Sequence, residues 1–506
     1  MFILYLVFML GIGIWFFMRS KDAGEKDYFL GGREMGAWVS GLSAGASDMS
    51  AWVLMGMPAS IYAYGMGKAW IPVGLFIGYS LSWIFIAPRL RSFSIVCGDS
   101  ITIPDFIANR FRDTTGVSRV VAALIILVFF TFYTASGFVS AAKLFSTMFP
   151  IAYTTSLWIG ALVVVGYTLL GGYMAVCWTD FVQGLLMFVA IVVVPAVVVC
   201  NAGGFAATVD QLNAINGNLL NLFTSASTGK ACGFIGLASC LAWGLGYFGM
   251  PHILVRFMSI DNPAEVKGSR RIAMTWVFIS LGAATVLGLV FHLYLKQRGL
   301  TLADVGNDPE KCFMVMINGI FNTGVLARVF AGILLSAIMA AIMSTADSQL
   351  LVSASSFTND LYGRVKKRAS NKELVLVSRL AVAAVAIVAA ALAMNTESDF
   401  FKVVMKMVSF AWAGFGASFG PLILLALFWR RVNLAGAVSG MVVGAVTCFV
   451  WKFVLAAKYA AAHPIFNLYE LAPGFLLALV VTVAVSLVTK APAREIVAEF
   501  EKVDAE

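Results

Sequence analysis

Gly41-Leu-Ser-Ala-Gly-Ala-Ser-Asp-Met-Ser50 sits in the middle of an apolar run over residues 36–65, and brings four Gly or Ala, three serines and one acid to it. Glycine lowers the cost of unusual dihedrals, and short hydroxyl side chains compete for backbone hydrogen bonds. An ionisable residue at the centre of a membrane helix costs at least about 2.5 kcal/mol and is functional by default. Unwound backbone at that depth is tolerated only where protein encloses it or it lines a cavity. The stretch therefore predicts a helix broken across Ser43–Ser50, lining a polar site.

A second stretch has the same character. Trp243-Gly-Leu-Gly-Tyr-Phe-Gly-Met-Pro251 places three glycines and a proline in another apolar run, and proline removes a backbone donor. Taken singly, each stretch is as well read as a packing kink. They open the second and seventh apolar segments, however, and that five-segment spacing fits two inverted repeats that each begin with a broken helix. Half-helix ends and freed carbonyls at such breaks bind anionic groups and cations.

Composition fixes the solvent. The chain is 60% hydrophobic and 12% charged, with a mean hydropathy of +0.90, against about 45–50% apolar and 25% charged in globular domains. Runs of about 20 apolar residues cross a bilayer, and about thirteen segments approach that length: 1–18, 36–65, 69–88, 120–145, 152–177, 180–202, 231–258, 272–295, 327–357, 374–394, 400–429, 434–456 and 469–489. Residues 1–18 lack a basic lead and a small-residue cleavage site, and read as a retained span. The net charge of +9 falls in short clusters between the segments, which excludes a nucleic-acid-binding face. Lys and Arg concentrate in the connections 19–33, 89–119, 256–271, 364–372, 430–431 and 490–502. By the positive-inside rule the N-terminus is outside and the tail 491–506 cytoplasmic. Residues 103–111 have the spacing of a short amphipathic helix, and 296–328 is polar enough to lie over the outer mouth. The seven cysteines form no C-x-x-C pair, so neither a zinc site nor a disulfide framework is indicated.

Other polar residues fall inside the segments. Ser344, Thr345, Asp347 and Ser348 lie within little more than one helical turn, with Ser344 and Ser348 on one face. Single Ser and Thr residues in membrane helices usually bond back to their own backbone. Four together with a carboxylate suit a hard monovalent cation, which takes several oxygen ligands. Asp180 stands at the boundary of the fifth and sixth segments. Tyr133, Trp243 and Tyr247 lie among small or polar residues and can wall a pocket for a small, partly apolar solute. The Gly-x-Ser-x-Gly matches at Ser43 and Ser418 lack the strand-turn-helix context of a hydrolase elbow, and no Gly-x-x-x-x-Gly-Lys-[Ser/Thr] loop is present. The chain reads as a transporter without enzymatic activity.

Leu30-Gly-Gly-Arg33, Ser43-Ala-Gly-Ala-Ser-Asp-Met-Ser50, Trp243-Gly-Leu-Gly-Tyr-Phe-Gly-Met-Pro-His252, Ala341-Ile-Met-Ser-Thr345 and Arg431-Val-Asn-Leu-Ala-Gly-Ala-Val-Ser-Gly-Met-Val-Val-Gly444 resemble the sodium:solute symporter family over nearly the whole chain. Ile103-Pro-Asp105, Trp178-Thr-Asp180 and Phe410-Ala-Trp-Ala-Gly-Phe-Gly-Ala417 are similar to its proline-carrying members. The resemblance implies an all-α membrane protein with a LeuT-type 5+5 inverted-repeat core and accessory spans. The divisions would be 1–35, a first repeat 36–202, a second repeat 203–430, two further spans 431–490 and a tail 491–506. It implies sodium symport of L-proline by alternating access in a bacterial inner membrane. Na+ would be the co-transported ion, with no organic cofactor, nucleic acid or obligate protein partner.

By the same resemblance, backbone carbonyls of Ala46, Met49 and Ala341 and hydroxyls of Ser344 and Thr345 would hold sodium, with Asp48 supporting. Proline would sit by Ser50, Ala51, Tyr133, Trp243, Tyr247 and Pro251, and Arg33 would affect coupling. Ala51 departs from the glycine of proline-carrying members. Asp180, Ser344, Asp347 and Ser348 resemble the second sodium site of some sialic-acid-carrying members. The family alternatives are another amino acid, pantothenate or a monocarboxylate as solute, or a transporter-like sensor.

Overall fold

The computed structural model describes residues 1–19, 30–169, 172–366 and 369–504. Lys21, Lys26, Lys367 and Arg368, which contribute to the charge bias, lie outside them. Among the described residues the chain is helical, with only isolated bridges such as Met35 to Ile260 in place of strands. Nine helices among the described residues are long and apolar enough to cross a bilayer, and the pair Gly233–Phe248 and Pro251–Met258, bent by 43°, makes a tenth if counted as one span. Two shorter apolar helices, Phe2–Phe16 and Tyr153–Thr168, and the broken pair Ala37–Asp48 and Met57–Tyr64 occupy the remaining predicted segments.

Two boundaries move. The fifth segment ends at Thr168 and the sixth helix begins at Tyr173. Asp180 is therefore about two turns inside that helix, not at a boundary. Hydropathy alone could not see this, because 173–177 is as apolar as the rest of the helix. The first break is also narrower than the composition suggested. Ser43, Ala46 and Ser47 stay helical, and the helix Ala37–Asp48 ends where Met49 takes φ −85° and ψ 74°. Four small residues let this helix pack against Glu265–Arg298 and Tyr173–Asn201, which holds the glycines among them helical despite weak propensity.

The helix Ile103–Arg110 forms as its spacing predicted, with Thr102 capping through the Asp105 N–H. The tail adds an unanticipated amphipathic helix, Arg494–Asp504, with Ile496, Phe500 and Val503 buried. The second broken helix packs so closely on Trp70–Leu81 that a Cβ on Gly78 would stand 2.0 Å from the Gly244 carbonyl oxygen. Only glycine permits that approach, which seats the second break directly on Trp70–Leu81.

Candidate functional site

At the first break the backbone changes partners. The Ser50 N–H turns to the Asp48 carbonyl at 3.0 Å and not to Ala46, its partner in a continuous helix. The Ala46 carbonyl is left to accept from the Ser344 hydroxyl at 2.9 Å. Ser344 Oγ is also 3.3 Å from the Ala341 carbonyl. Three of the five oxygens expected around sodium thus meet at one point, on helices 298 residues apart in sequence. In the next position of the same helix, the Thr345 hydroxyl is buried with no hydrogen-bond partner. Met49 is fully buried at the break.

Asp48 caps this arrangement. Its Oδ2 accepts from the Tyr247 hydroxyl at 2.5 Å, and its carbonyl accepts from Trp52 Nε1 at 3.1 Å and Tyr133 at 3.5 Å. Asp48 Oδ1 has no partner. Tyr133 and Tyr247 therefore converge on the first break as expected, but the Tyr247 hydroxyl is engaged by the carboxylate. Ala51 is right-handed helical at φ −51° and ψ −19°, where alanine carries no strain, so the departure from glycine fits this backbone.

Opposite, Ala242–Phe248 winds as a tight 3-10 turn before Pro251 starts a fresh helix. Trp412 Nε1 donates to the Trp243 carbonyl at 2.7 Å, and its ring meets Tyr247 edge-on at 4.9 Å. Trp243 lies 6.3 Å from Trp52 and stacks on Tyr469 at 5.2 Å. Ser50 and Pro251 are buried at the two breaks. The six residues expected around the solute thus lie at or beside the paired breaks, flanked by Trp52 and Trp412, with Tyr469 behind Trp243.

A second polar centre lies one helical turn away. Asp180 Oδ2 accepts from Ser43 at 2.8 Å, from Ser47 at 2.7 Å and from Arg256 Nη2 at 3.0 Å. Arg256 also donates to Ser348 Oγ at 2.6 Å and to the His252 carbonyl at 2.6 Å. Arg256 counted in the sequence as a loop charge. It is instead 1% exposed in the helix Pro251–Met258. Asp347 Oδ1 accepts its neighbour's N–H at 2.7 Å, while Asp347 Oδ2 and Asp180 Oδ1 are buried without partners. Asp180, Asp347 and Ser348 are thus brought together, with a guanidinium among them. Ser344 turns its hydroxyl away, to the Ala46 site.

Arg33 bonds to no residue of either centre, though it reaches Met258, two residues beyond Arg256. Its backbone is left-handed at φ 62°, and its guanidinium reaches Asp99 at 3.0 Å, Ser94 at 3.1 Å, the Ser100 carbonyl at 2.8 Å and the Met258 carbonyl. Burial lowers its pKa from the ordinary arginine value, and the neighbouring Asp99 carboxylate offsets part of that. The residue ties the end of the second broken helix to the chain after the third segment.

The sodium:solute symporter family model matches residues 28–444. The chain belongs to that family. It is 45% identical to a high-affinity proline transporter of Bacillus subtilis (strain 168), over 97% of this chain and 98% of that one. It is 41% identical to a sodium/proline symporter of Haemophilus influenzae, over 99% and 97%. Its fold is similar to that of a sodium-coupled sialic acid symporter in a substrate-bound, outward-open state, with a TM-score of 0.77 at 20% identity, covering 97% of this chain and 98% of that one. Membership makes this a multi-pass membrane transporter.

The sequence did not reveal Arg256, Trp52, Trp412 or Tyr469 as site residues. Arg256 lies one turn after His252, whose carbonyl it bonds, so a helix restarting at Pro251 sets the two on one face. That i,i+4 spacing was the available signal. Nothing local marks Tyr469.

Proposed function

We propose that the chain is a sodium-coupled importer of L-proline working by alternating access. The observation that carries this reading is the Ser344 hydroxyl set between the Ala46 and Ala341 carbonyls, 2.9 and 3.3 Å away, followed in the same helix by the unpartnered Thr345 hydroxyl. Such neutral oxygens, with Met49 O completing the set, suit a monovalent hard cation. Bound sodium would hold the first broken helix against Val325–Ser355, stabilise the outward-open form and order the adjoining solute site. The proline carboxylate would face the freed backbone near Ser50, and its ring the aromatics Tyr133, Trp243 and Tyr247. The named function of the two proline-carrying relatives supports this solute over the family alternatives.

The orientation places the N-terminus outside and the tail in the cytoplasm, with thirteen spans and repeats over 36–202 and 203–430. It is supported by the way basic residues from separate connections meet. Arg91 donates to the Ile260 and Asp261 carbonyls, Arg364 to the Thr115 carbonyl, and Arg112 pairs with Glu499. Arg33, within this face, would transmit closure between the second broken helix and the third segment. One charge crossing 100 mV supplies about 2.3 kcal/mol, enough for more than tenfold accumulation at 1.4 kcal/mol per decade.

Asp180, Asp347 and Ser348 would form a second sodium site, to which Ser344 would have to turn its hydroxyl from the Ala46 carbonyl. The unpartnered oxygens of the two carboxylates favour it, and Arg256, which already neutralises one of them, opposes it. A Hill slope for sodium that is near one in both wild type and Asp347→Ala would eliminate that site. The main reading is tested by labelled-proline uptake into proteoliposomes with and without an inward sodium gradient. Sodium-stimulated accumulation is expected, and its absence would overturn the reading.

A further inference from the structure

Tyr469 belongs to the last predicted span, outside both repeats, yet it reaches the wall of the solute site. Its ring lies parallel to Trp243, with centroids 5.2 Å apart and planes at 23°. Its hydroxyl donates to the Ser409 carbonyl at 2.6 Å, and its N–H to Ser239 Oγ at 3.0 Å. One residue therefore joins the first half of the second broken helix, which carries Ser239 and Trp243, to the helix Val404–Phe428, which carries Ser409 and Trp412. The Trp412 indole completes the link through the Trp243 carbonyl.

The position is built, not incidental. Glu470 pairs with Lys452 at 3.2 Å, and Trp451 Nε1 donates to the Leu468 carbonyl at 2.9 Å. Both anchor the turn that presents Tyr469. In the proposed orientation this turn lies at the outer ends of its spans. Trp243 then stands between Tyr469, at 5.2 Å, and Trp52, at 6.3 Å.

We infer that Tyr469 is a positioning residue of the solute site, holding Trp243 from the outer side so that the pocket closes over bound substrate. This rests on the proline reading above, with Trp243 as a pocket wall. Tyr469 does not touch the solute. It restricts the Trp243 ring, so its loss weakens solute binding without removing a transport step.

The test is initial-rate proline uptake in proteoliposomes at saturating sodium, for wild type, Tyr469→Phe and Tyr469→Ala. Losing one stacked pair and one hydrogen bond corresponds to about a tenfold change. Tyr469→Ala is expected to raise KM for proline about tenfold while the maximal rate per folded transporter is kept. Tyr469→Phe retains the stack and should recover most of the affinity. KM does not depend on how much protein folds, so a poor yield of the alanine variant leaves the result readable. An unchanged KM in Tyr469→Ala beside normal wild-type uptake overturns the Tyr469 role alone, as does a fall in maximal rate at constant KM. Absence of wild-type uptake overturns the proline reading, and this proposal with it.

Discussion

Removing the Arg256 guanidinium should destabilise the protein severely, and removing its partner as well should largely reverse the loss. The pair is 3.0 Å apart, with side chains 1% and 0% exposed. Stranding one member of a buried ion pair costs about 3–5 kcal/mol. In Arg256→Met the stem length survives but Asp180 keeps only the Ser43 and Ser47 hydroxyls, and Ser348 loses a charged donor. At 1.4 kcal/mol per decade, the unfolding constant should rise by about two to more than three decades. Asp180→Asn takes the bonded carboxylate from the guanidinium and should be costly too. A neutral pair of similar volume is often no less stable than the ion pair it replaces, so the double variant should fall well short of the summed losses. The expected coupling is about 2 kcal/mol or more, against about 0.5 kcal/mol for independent sites. Denaturant unfolding in mixed micelles, followed by tryptophan fluorescence, measures all four corners of the cycle. Additive losses would refute the argument, because they would mean that Asp180 and Arg256 are each satisfied by other groups.

Ser344→Ala removes the hydroxyl between two carbonyls and should raise the half-saturating sodium concentration about tenfold, in line with loss of one good polar interaction. Uptake against sodium at fixed proline reads this, and an unchanged sodium curve would place the ion elsewhere. Gly246→Ala would put a Cβ 1.9 Å from Trp412 Nε1, and overpacking of this kind costs about 1–3 kcal/mol. It should depress uptake by parting Trp412 from the Trp243 carbonyl, and wild-type kinetics would show that the contact is dispensable. Arg112→Ala breaks pairs with Glu495 and Glu499 from a half-exposed position. Surface pairs contribute about 0–1 kcal/mol, so stability and uptake should stay near wild type, and a large loss would mean that the tail helix does more than dock.

The two breaks were legible because they rest on local composition. Gly41–Ser50 and Trp243–Pro251 combine small residues, hydroxyls and a proline where a span should be uniformly apolar, and membrane insertion tolerates that only at an enclosed site. The Ser344–Ser348 cluster was legible for the same reason. The extent of the first break was not. Ser43 and Ala46 lie among glycines and serines of weak helical preference, but packing against Glu265–Arg298 and Tyr173–Asn201 keeps them helical until Met49, a tertiary effect on a local propensity. Asp180 was misplaced because the turn between two apolar helices leaves little trace in hydropathy.

The sequence by itself determined the solvent, the approximate spans, the paired breaks and the family to which the chain belongs. Each follows from local hydrophobicity or from short motifs whose residues are neighbours in the chain. The tertiary structure decided which groups face one another. It drew Arg256 out of the count of loop charges and paired it with Asp180, 76 residues away. It set Ser344 against Ala46, and it brought Tyr469 from the turn before the helix Leu471–Val488 onto Trp243. Buried polar groups must find partners. In a bundle of crossing helices those partners come from distant segments, so the choice among them is made only when the helices pack.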